Sequence, residues 1–411
     1  MSYDAIIVGS RIAGAATGML LARNGFRVLI VDRTKLPSDT ISTHIVWQHG
    51  VNRLIDWGLG ESLRQLGAPA VDKMTVDFGA FSLTGALPAV GRAAYAYAPR
   101  RTKLDPMLLA AAGCAGAEVR DCFTVEEVVF DGDRVVGIRG RDRSGATVTE
   151  HARIVVGADG LYSTVARDVK PIEYNSKPPL ACWYYSYWSG LARDRPCLYS
   201  RPHSTFGAIP TNDGLICLAV AWPQQRFLEI KTDIERQYLA ALDAAPEFKE
   251  EVLSARREER FYGTGHVPNY YRKPYGQGWA LVGDAGYHKD PVLAQGISDA
   301  LRDSGLLAEA LRDVFSGLAA WNTAMERYEM ARNTAVKEIY EMNAAFASLE
   351  PLAPEARNVL QALPGNAEQT SRFVGTITGA VAPSDFYAPE NVARILSDNH
   401  APDRTVAVSV A

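Results

Sequence analysis

The 411-residue sequence predicts an α/β fold in which a nucleotide-binding lobe is interrupted by a second domain built on an antiparallel β-sheet. Three observations predict it. A buried strand, a glycine turn and an amphipathic helix fill residues 4–24, and a second buried strand follows at 27–32. Residues 171–272 change to β-branched and aromatic runs that are broken by proline and glycine. Helical periodicity resumes at about residue 318 and predicts helices at the C-terminus.

The nucleotide-binding lobe is predicted to be discontinuous along the chain, because sequence patterns typical of its buried strands return after each segment that belongs to the second domain. Helices are predicted over 104–113, with Pro106 near the start, over 296–315 and over 318–349, and the tail after Pro351 is weakly patterned. The predicted segments are a first nucleotide-binding segment (1–75), a piece of the second domain (76–98), a second nucleotide-binding segment (99–170), the second domain (171–272), a third nucleotide-binding segment (273–315) and a C-terminal helical region (316–411).

Composition excludes several functional classes. The net charge is only -4 and Lys and Arg are scattered, which disfavours a nucleic-acid partner and favours a small organic molecule. The five cysteines show no ligand spacing, so no metal site and no disulfide framework is expected. Because no apolar run is long enough to span a bilayer and the N-terminus does not read as a signal peptide, we expect a soluble, cytoplasmic protein. Oligomeric state is left open.

The first glycine turn carries a variant dinucleotide fingerprint. Gly9 and Gly14 hold the first and third positions, but Arg11 replaces the middle glycine. The turn follows a strand and opens a helix, whose free N–H groups favour a pyrophosphate. Asp32 ends the second strand 18 residues after Gly14, where a carboxylate accepts ribose hydroxyls. The predicted cofactor contacts here are Gly9, Arg11, Ile12, Ala13, Gly14, Asp32 and Arg33. This unit alone does not separate FAD from NAD.

The segment from Gly283 to Asp303 resembles the second FAD motif of the para-hydroxybenzoate hydroxylase family. Asp284, Pro291 and Gly296 match that motif at its spacing. The resemblance implies that Asp284 reaches the ribityl chain, that Pro291 lies beside the isoalloxazine, and that the helix from Gly296 and Ile297 points at the N1–C2=O edge. A helix N-terminus stabilises the negative charge that the reduced flavin carries there. FAD is therefore the predicted cofactor.

Further segments resemble the same family. Asp159, in Gly-Ala-Asp-Gly, matches its internal Asp-Gly motif, and Arg101 matches an arginine that approaches the flavin or its phosphates. Ser42 and Thr43 stand where the hydroxybenzoate enzyme has arginines near the phosphate, and their hydroxyl groups would take that role. The resemblance implies a Rossmann-like FAD-binding domain with an inserted antiparallel β-sheet substrate domain and C-terminal helices.

Two positions depart from the family pattern. Tyr287 stands in place of the family's histidine and is followed by His288, and Leu293 replaces a glycine. The loop beside the flavin is therefore expected to have its own shape. His44 and His288 are the candidate catalytic side chains, each weighed against an ordinary structural role. Candidate lining residues of the substrate pocket are Tyr184, Tyr185, Tyr187, Trp188, Phe206 and Ile209; alternation places them on both faces of a strand, so about half are expected to be packing residues. Tyr184, Trp188 and Phe206 are the predicted substrate contacts.

The family resemblance implies an FAD-dependent monooxygenase. NAD(P)H would visit transiently as the electron donor, and O2 would supply one oxygen atom to hydroxylate or epoxidise a small aromatic or polycyclic substrate. Two alternatives stay open: a reductase or dehydrogenase related to geranylgeranyl reductases, and a flavin-binding scaffold without catalysis. A flavin halogenase is disfavoured, because the W-x-W-x-I-P signature is absent: Trp183 and Trp188 lie five residues apart.

Overall fold

The computed structural model describes residues 2–398. Its strands, in chain order, are β1 (Tyr3–Val8), β2 (Val28–Val31), β3 (Ala70–Val71), β4 (Lys73–Asp77), β5 (Ser82–Ala86), β6 (Ala96–Tyr97), β7 (Glu118–Arg120), β8 (Thr124–Asp131), β9 (Arg134–Arg141), β10 (Thr147–Gly157), β11 (Glu173–Lys177), β12 (Ala181–Ser189), β13 (Cys197–Arg201), β14 (Ser204–Pro210), β15 (Ile216–Pro223), β16 (Arg256–Arg257), β17 (Tyr262–Thr264), β18 (Asn269–Arg272), β19 (Tyr275–Gly276), β20 (Trp279–Leu281) and β21 (Tyr287–His288).

The helices, in the same order, are α1 (Ile12–Arg23), α2 (Gln48–Asp56), α3 (Gly60–Gln65), α4 (Arg101–Cys114), α5 (Thr164–Val169), α6 (Phe227–Thr232), α7 (Ile234–Ala241), α8 (Pro246–Ser254), α9 (Gly296–Phe315), α10 (Trp321–Ala347), α11 (Pro354–Gln361), α12 (Ala367–Thr378), α13 (Pro383–Phe386) and α14 (Pro389–Asp398). None of these described helices combines the length and apolar composition that crossing a bilayer requires.

The nucleotide-binding lobe is built on a mainly parallel sheet in the order β19-β20-β10-β1-β2-β7. Strand β1 pairs in parallel with β2 and β10, so the first glycine turn and the end of β10 meet at one edge. Helices α1, α4 and α9 pack against one face, while the β8–β9 hairpin and α5 cover the other. The α/β prediction with a Rossmann-like lobe is confirmed.

The second domain contains the predicted antiparallel sheet, in the order β16-β12-β15-β14-β13-β4-β5, with β17 also paired to β12. The sheet also contains β4 and β5, which lie in the chain between the first two segments of the nucleotide-binding lobe. Strand β4 pairs in parallel with β13. Its inner face packs on residues from the nucleotide-binding lobe, including Ile45, Trp47 and Leu293. A substrate held on this inner face would thus lie between the two lobes.

The outer face of the same sheet is covered by α6, α7 and α8, which were not predicted within residues 171–272. One other local prediction was also wrong. Helix α4 begins at Arg101, so Pro106 lies inside it and not at its start. The predicted C-terminal helices continue past Pro351 as α11 to α14, and Phe373, Val374 and Ile377 on α12 join the inner-face core despite the weak pattern there.

Candidate functional site

The first glycine turn closes directly onto the end of β10. Gly9 has φ +102°, and a Cβ there would lie 2.4 Å from the carbonyl oxygen of Ala158. A Cβ on Gly14 would lie 1.8 Å from the carbonyl oxygen of Gly9. Only glycine fits at both positions. The close approach places Asp159 beside the turn, with its Oδ2 accepting from the backbone N–H of Thr164 at 2.7 Å.

Asp32 is fixed at the end of β2 by four hydrogen bonds. Ser10 donates its backbone N–H and hydroxyl to Oδ2 at 2.9 and 2.7 Å, and Thr34 donates the same two groups to Oδ1 at 2.9 and 2.6 Å. Burial alone would raise the pKa of Asp32, but these hydrogen bonds outweigh it and hold the pKa below its ordinary value. A permanently ionised carboxylate therefore stands where the ribose hydroxyls are expected.

Two arginines lie near the N-terminus of α1. Arg11 precedes the helix without a side-chain cap, and its Nη2 donates to Ser38 Oγ at 3.2 Å and to the carbonyl of Asp39 at 3.0 Å. Burial lowers the pKa of Arg11, and the positive charge of Arg101 lowers it further. Arg101 is itself held by a bidentate pair with Asp105 at 2.8 and 3.0 Å. Free helix N–H groups beside two guanidinium groups suit a pyrophosphate.

The second predicted FAD motif meets the first one in space. A Cβ on Gly283 would lie 2.9 Å from the Ala13 Cβ, and Ser304 of α9 donates its hydroxyl to the Ala13 carbonyl at 3.0 Å. The Asp284 side chain is exposed, and a Cβ added to Gly296, which opens α9, would meet no atom within 4 Å. Helix α9 also begins without a side-chain cap, so its first N–H groups are available to a ligand.

The loop that carries Pro291 contains a functional candidate that the sequence pattern did not reveal. Asp290 is buried, and its carboxylate accepts from the Trp183 indole at 3.1 Å and from the backbone N–H of Val292 at 3.0 Å. Burial raises the pKa of Asp290 to about 7, although both hydrogen bonds oppose the shift. The one feature of the sequence that could have pointed to Asp290 is its position directly before the motif proline, Pro291.

His44 reaches from the β2–α2 loop to the inner face of the sheet. It is fully buried with φ +63°, and its Nε2 lies 2.6 Å from the Tyr187 hydroxyl. Its Nδ1 is buried without a hydrogen-bond partner in the described chain. Burial lowers the pKa of His44 to about 3, with a further contribution from the Arg101 charge. The imidazole is therefore neutral at physiological pH, and one ring nitrogen has no hydrogen-bond partner among the described residues.

Other predicted loop residues surround His44. The Ser42 hydroxyl accepts from the His44 backbone N–H at 3.0 Å, Thr43 is half-buried beside it, and Arg33 is exposed at the start of the loop. The Arg100 guanidinium lies 3.8 Å from the centroid of the Tyr187 ring. Arg100 was absent from the predicted site and Tyr187 was predicted only as a candidate pocket-lining residue, because their approach to His44 depends on the pairing of the two lobes.

The three predicted substrate residues lie on the outer face of the sheet, away from the nucleotide-binding lobe. Tyr184, Trp188 and Phe206 pack under α6–α8, with Trp188 stacked on Tyr238 and Phe206 near Phe248. Alternation along β12 sends the intervening side chains to the inner face. The residues of β12 that face the nucleotide-binding lobe are Trp183, Tyr185 and Tyr187.

His288 belongs to a different region of the fold from His44. It lies on β21, which pairs with β18 in a small three-stranded sheet, and its Nδ1 hydrogen-bonds to the carbonyl of Pro268. Its ring stacks on Tyr270 with 5.9 Å between centroids. These two contacts hold the His288 side chain against Pro268 and Tyr270, as expected for the structural role weighed for it.

Residues 2–343 match the family described as FAD binding domain. The chain belongs to this family. The glycine turn, the ionised Asp32 and the uncapped N-termini of α1 and α9 fit FAD, and the protein is an FAD-dependent oxidoreductase. Within the wider superfamily, this agrees with the predicted resemblance to the para-hydroxybenzoate hydroxylase type of flavoenzyme.

Proteins similar to this chain include halogenases, monooxygenases and digeranylgeranylglycerophospholipid reductases. A tryptophan 2-halogenase of Chondromyces crocatus is 24% identical over 416 residues, covering 96% of this chain and 78% of the relative. A 2,4-dichlorophenol 6-monooxygenase of Cupriavidus pinatubonensis is 25% identical over 391 residues, covering 86% and 62%. The myxobacterial chondrochloren halogenase CndH has a similar fold, with a TM-score of 0.79, 22% identity and coverage of 98% of both chains. Two of these three proteins are named as halogenases, the chemistry that the sequence alone disfavoured.

Proposed function

We propose that this FAD-dependent oxidoreductase is a monooxygenase that uses NAD(P)H and O2 to hydroxylate a small aromatic molecule. The observation that carries the proposal is the pair formed by His44 and Tyr187, at 2.6 Å between Nε2 and the phenolic oxygen. The pair joins the β2–α2 loop to the inner sheet face, where aromatic side chains surround it. It offers a planar substrate a dry surface and one directed hydrogen bond.

The chemistry of the pair is set by its protonation. His44 is neutral because burial lowers its pKa, and Tyr187 keeps its proton because burial raises its pKa. A neutral imidazole with one open nitrogen can orient and polarise a substrate hydroxyl or carbonyl group, whereas a charged one would need a buried counter-ion. We assign His44 this role and Tyr187 the role of fixing the imidazole.

FAD supplies the redox chemistry when it is bound, and the protein binds, orients and keeps water out. The proposed overall reaction consumes NAD(P)H, a proton, O2 and a substrate C–H bond. It yields NAD(P)+, water and the hydroxylated product. Asp32, Asp284, the α1 N-terminus and the α9 N-terminus are the groups that we assign to cofactor binding.

Halogenation of a similar substrate is a second candidate. It is supported by the similarity to a tryptophan 2-halogenase along 96% of this chain. Both reactions require reduced flavin and O2, but halogenation also requires a halide ion and leaves no O2-derived oxygen in the product. The two candidates therefore differ in a measurable co-substrate.

The test is turnover of the FAD-loaded protein with NADH or NADPH and a panel of phenols and indoles, under isotopically labelled O2, with and without bromide. One labelled oxygen in the product supports monooxygenation. Bromide-dependent halogenated product without labelled oxygen supports halogenation. Substrate reduction without O2 supports the reductase alternative, and absence of turnover with every donor supports the scaffold.

The chain offers a matched pair of variants on one strand. Tyr187→Phe removes the hydroxyl that meets His44, whereas Tyr184→Phe removes a hydroxyl from the opposite face of β12. We expect Tyr187→Phe to lower kcat/KM about 10- to 100-fold through loss of this orientation and Tyr184→Phe to leave it unchanged. Equal effects of the two variants would argue against an inner-face site.

A further inference from the structure

A chain of buried ionic side chains runs along the start of α9. Lys289 pairs with Oδ2 of Asp299, and Arg302 Nη1 donates to Oδ1 of the same carboxylate at 2.6 Å. The Nε and Nη2 of Arg302 donate to Asp303 at 2.9 and 2.7 Å. The Lys289 and Asp299 side chains are only 3% and 7% exposed. We call these four residues the Lys289 ion chain.

The ion chain is electrically balanced. With all four groups charged it contains two cations and two anions, although burial raises the pKa of Asp303 and lowers the pKa of Lys289. Its carboxylates accept hydrogen bonds from cationic donors. Burial would raise the pKa of Asp299, but the Lys289 and Arg302 charges outweigh it and hold the pKa low. His49, from the first turn of α2, faces Asp299 and stays neutral because burial lowers its pKa to about 4. Loss of any one charge would leave a buried net charge.

The ion chain borders the same small cavity as the second FAD motif. Asp284 and Gly296 line this cavity together with Lys289, Asp299 and Tyr287. The Tyr287 hydroxyl is buried without a hydrogen-bond partner in the described chain, and Lys289 Nζ lies 5.0 Å from the centroid of its ring. The Tyr287 hydroxyl is therefore a hydrogen-bonding group on the wall of this cavity that the described residues leave without a partner.

We infer that Lys289 is a positioning residue for FAD, which holds the 283–291 loop against α9 through Asp299, and that the balance between its charge and that of Asp299 sets the reduction potential of the flavin. The reduced flavin is more negative than the oxidised form at the edge that α9 approaches in the predicted motif. A buried cation therefore stabilises the reduced form preferentially, and a buried anion destabilises it. This inference rests on FAD binding and is independent of which reaction the enzyme catalyses.

Two variants separate this electrostatic role from a purely structural one. Lys289→Met and Asp299→Asn break the same ion pair, but they change the buried charge in opposite directions. The measurement is the midpoint potential of the FAD-loaded protein, titrated anaerobically against reference dyes, without substrate. We expect Lys289→Met to lower the potential and Asp299→Asn to raise it. Each variant is expected to change the affinity for reduced FAD relative to oxidised FAD about tenfold. This change corresponds to a shift of the midpoint potential of about 30 mV for a two-electron couple.

Controls keep the inference falsifiable. The double variant Lys289→Met/Asp299→Asn restores the charge balance and should return the potential toward that of the wild type. Lys337→Met removes an exposed lysine on α10 and should leave the potential unchanged. If Lys289→Met does not retain FAD, the inference is tested by Asp299→Asn alone, whose midpoint potential should lie above that of the wild type. Shifts in the same direction for both single variants, or no shift, would overturn the inference.

Discussion

The indole N–H of Trp183 donates to the carboxylate of Asp290, with 3.1 Å between Nε1 and Oδ1. Trp183 lies on the inner face of β12, and Asp290 precedes Pro291 on the loop between β21 and α9. The side chains are 107 residues apart in sequence. This hydrogen bond ties the sheet of the second domain to the loop that we assign to the flavin.

Asp290 should make stability pH-dependent. Because burial raises its pKa to about 7, the folded protein keeps a proton that the unfolded chain releases near pH 4, about the ordinary value for Asp. The stability that Asp290 contributes is therefore greatest below about pH 4 and is lost as the pH rises through about 7. Asp290→Asn cannot titrate, so its Tm should decline less than that of the wild type between these pH values. Parallel Tm curves would contradict the assignment.

His44 should act as a neutral group. Its pKa of about 3 means that it contributes no inflection near pH 6.5 to the pH dependence of kcat/KM. We expect His44→Ala to lower kcat/KM about 100-fold while FAD occupancy, measured by flavin absorbance, is retained. A wild-type inflection near pH 6.5 that disappears in His44→Ala would show that the imidazole titrates during turnover.

Asp32 should contribute strongly to FAD affinity. Asp32→Ala removes a charge-assisted acceptor, and we expect the free energy of FAD binding to weaken by about 1.5–3 kcal/mol, roughly 10- to 150-fold in Kd. The measurement is a titration of apoprotein by flavin fluorescence. Thr34→Val removes one hydroxyl that supports the carboxylate and keeps the charge, so its effect should be smaller. Equal affinity in wild type and Asp32→Ala would remove this residue from the site.

Asp284 should act on the cofactor and little on the fold. Its side chain is exposed, whereas its backbone carbonyl accepts the Tyr270 hydroxyl at 2.6 Å. Asp284→Ala keeps that hydrogen bond, so we expect the Tm of the apoprotein to change little while FAD is lost during purification. A variant that retains full flavin occupancy would mean that the second motif is misassigned.

Phe206 should matter for stability and not for substrate. It is fully buried between the sheet and α8, with 4.6 Å between its ring centroid and that of Tyr199. We expect Phe206→Ala to lower the free energy of unfolding by about 3–5 kcal/mol, measured by urea denaturation. The KM of the protein that remains folded should be unchanged. A change in substrate preference would place the binding surface on the helix-covered face.

The regions of the molecule that could be predicted are those with local signals. The bounds of α9 agree with the prediction, because its apolar stripe and its glycine start lie within one continuous segment. The glycine turn and Asp32 were likewise predictable, because the motif spacing is short and the steric limit at Gly14 is set by the Gly9 carbonyl within the same turn.

The regions that were missed depend on contacts between distant segments. Both faces of β12 carry large aromatic side chains, so the alternation of Tyr184 and Tyr185 contains no polar signal that tells inside from outside. Which face of β12 points away from the nucleotide-binding lobe is determined by α6–α8, because these helices cover one face only. The burial of Lys289 could not be predicted, because nothing in the sequence distinguishes a lysine that is buried in an ion pair from one that is exposed to solvent.

The backbone at Arg11 has φ -80°, a conformation open to every amino acid, and its side chain leaves the turn toward Ser38 and Asp39. Glycine is thus obligatory at the two outer positions of this turn and optional at the middle one. A search that demands all three glycines would discard chains of this kind. One that demands the outer two, a strand before them and an acid after the next strand would recover them.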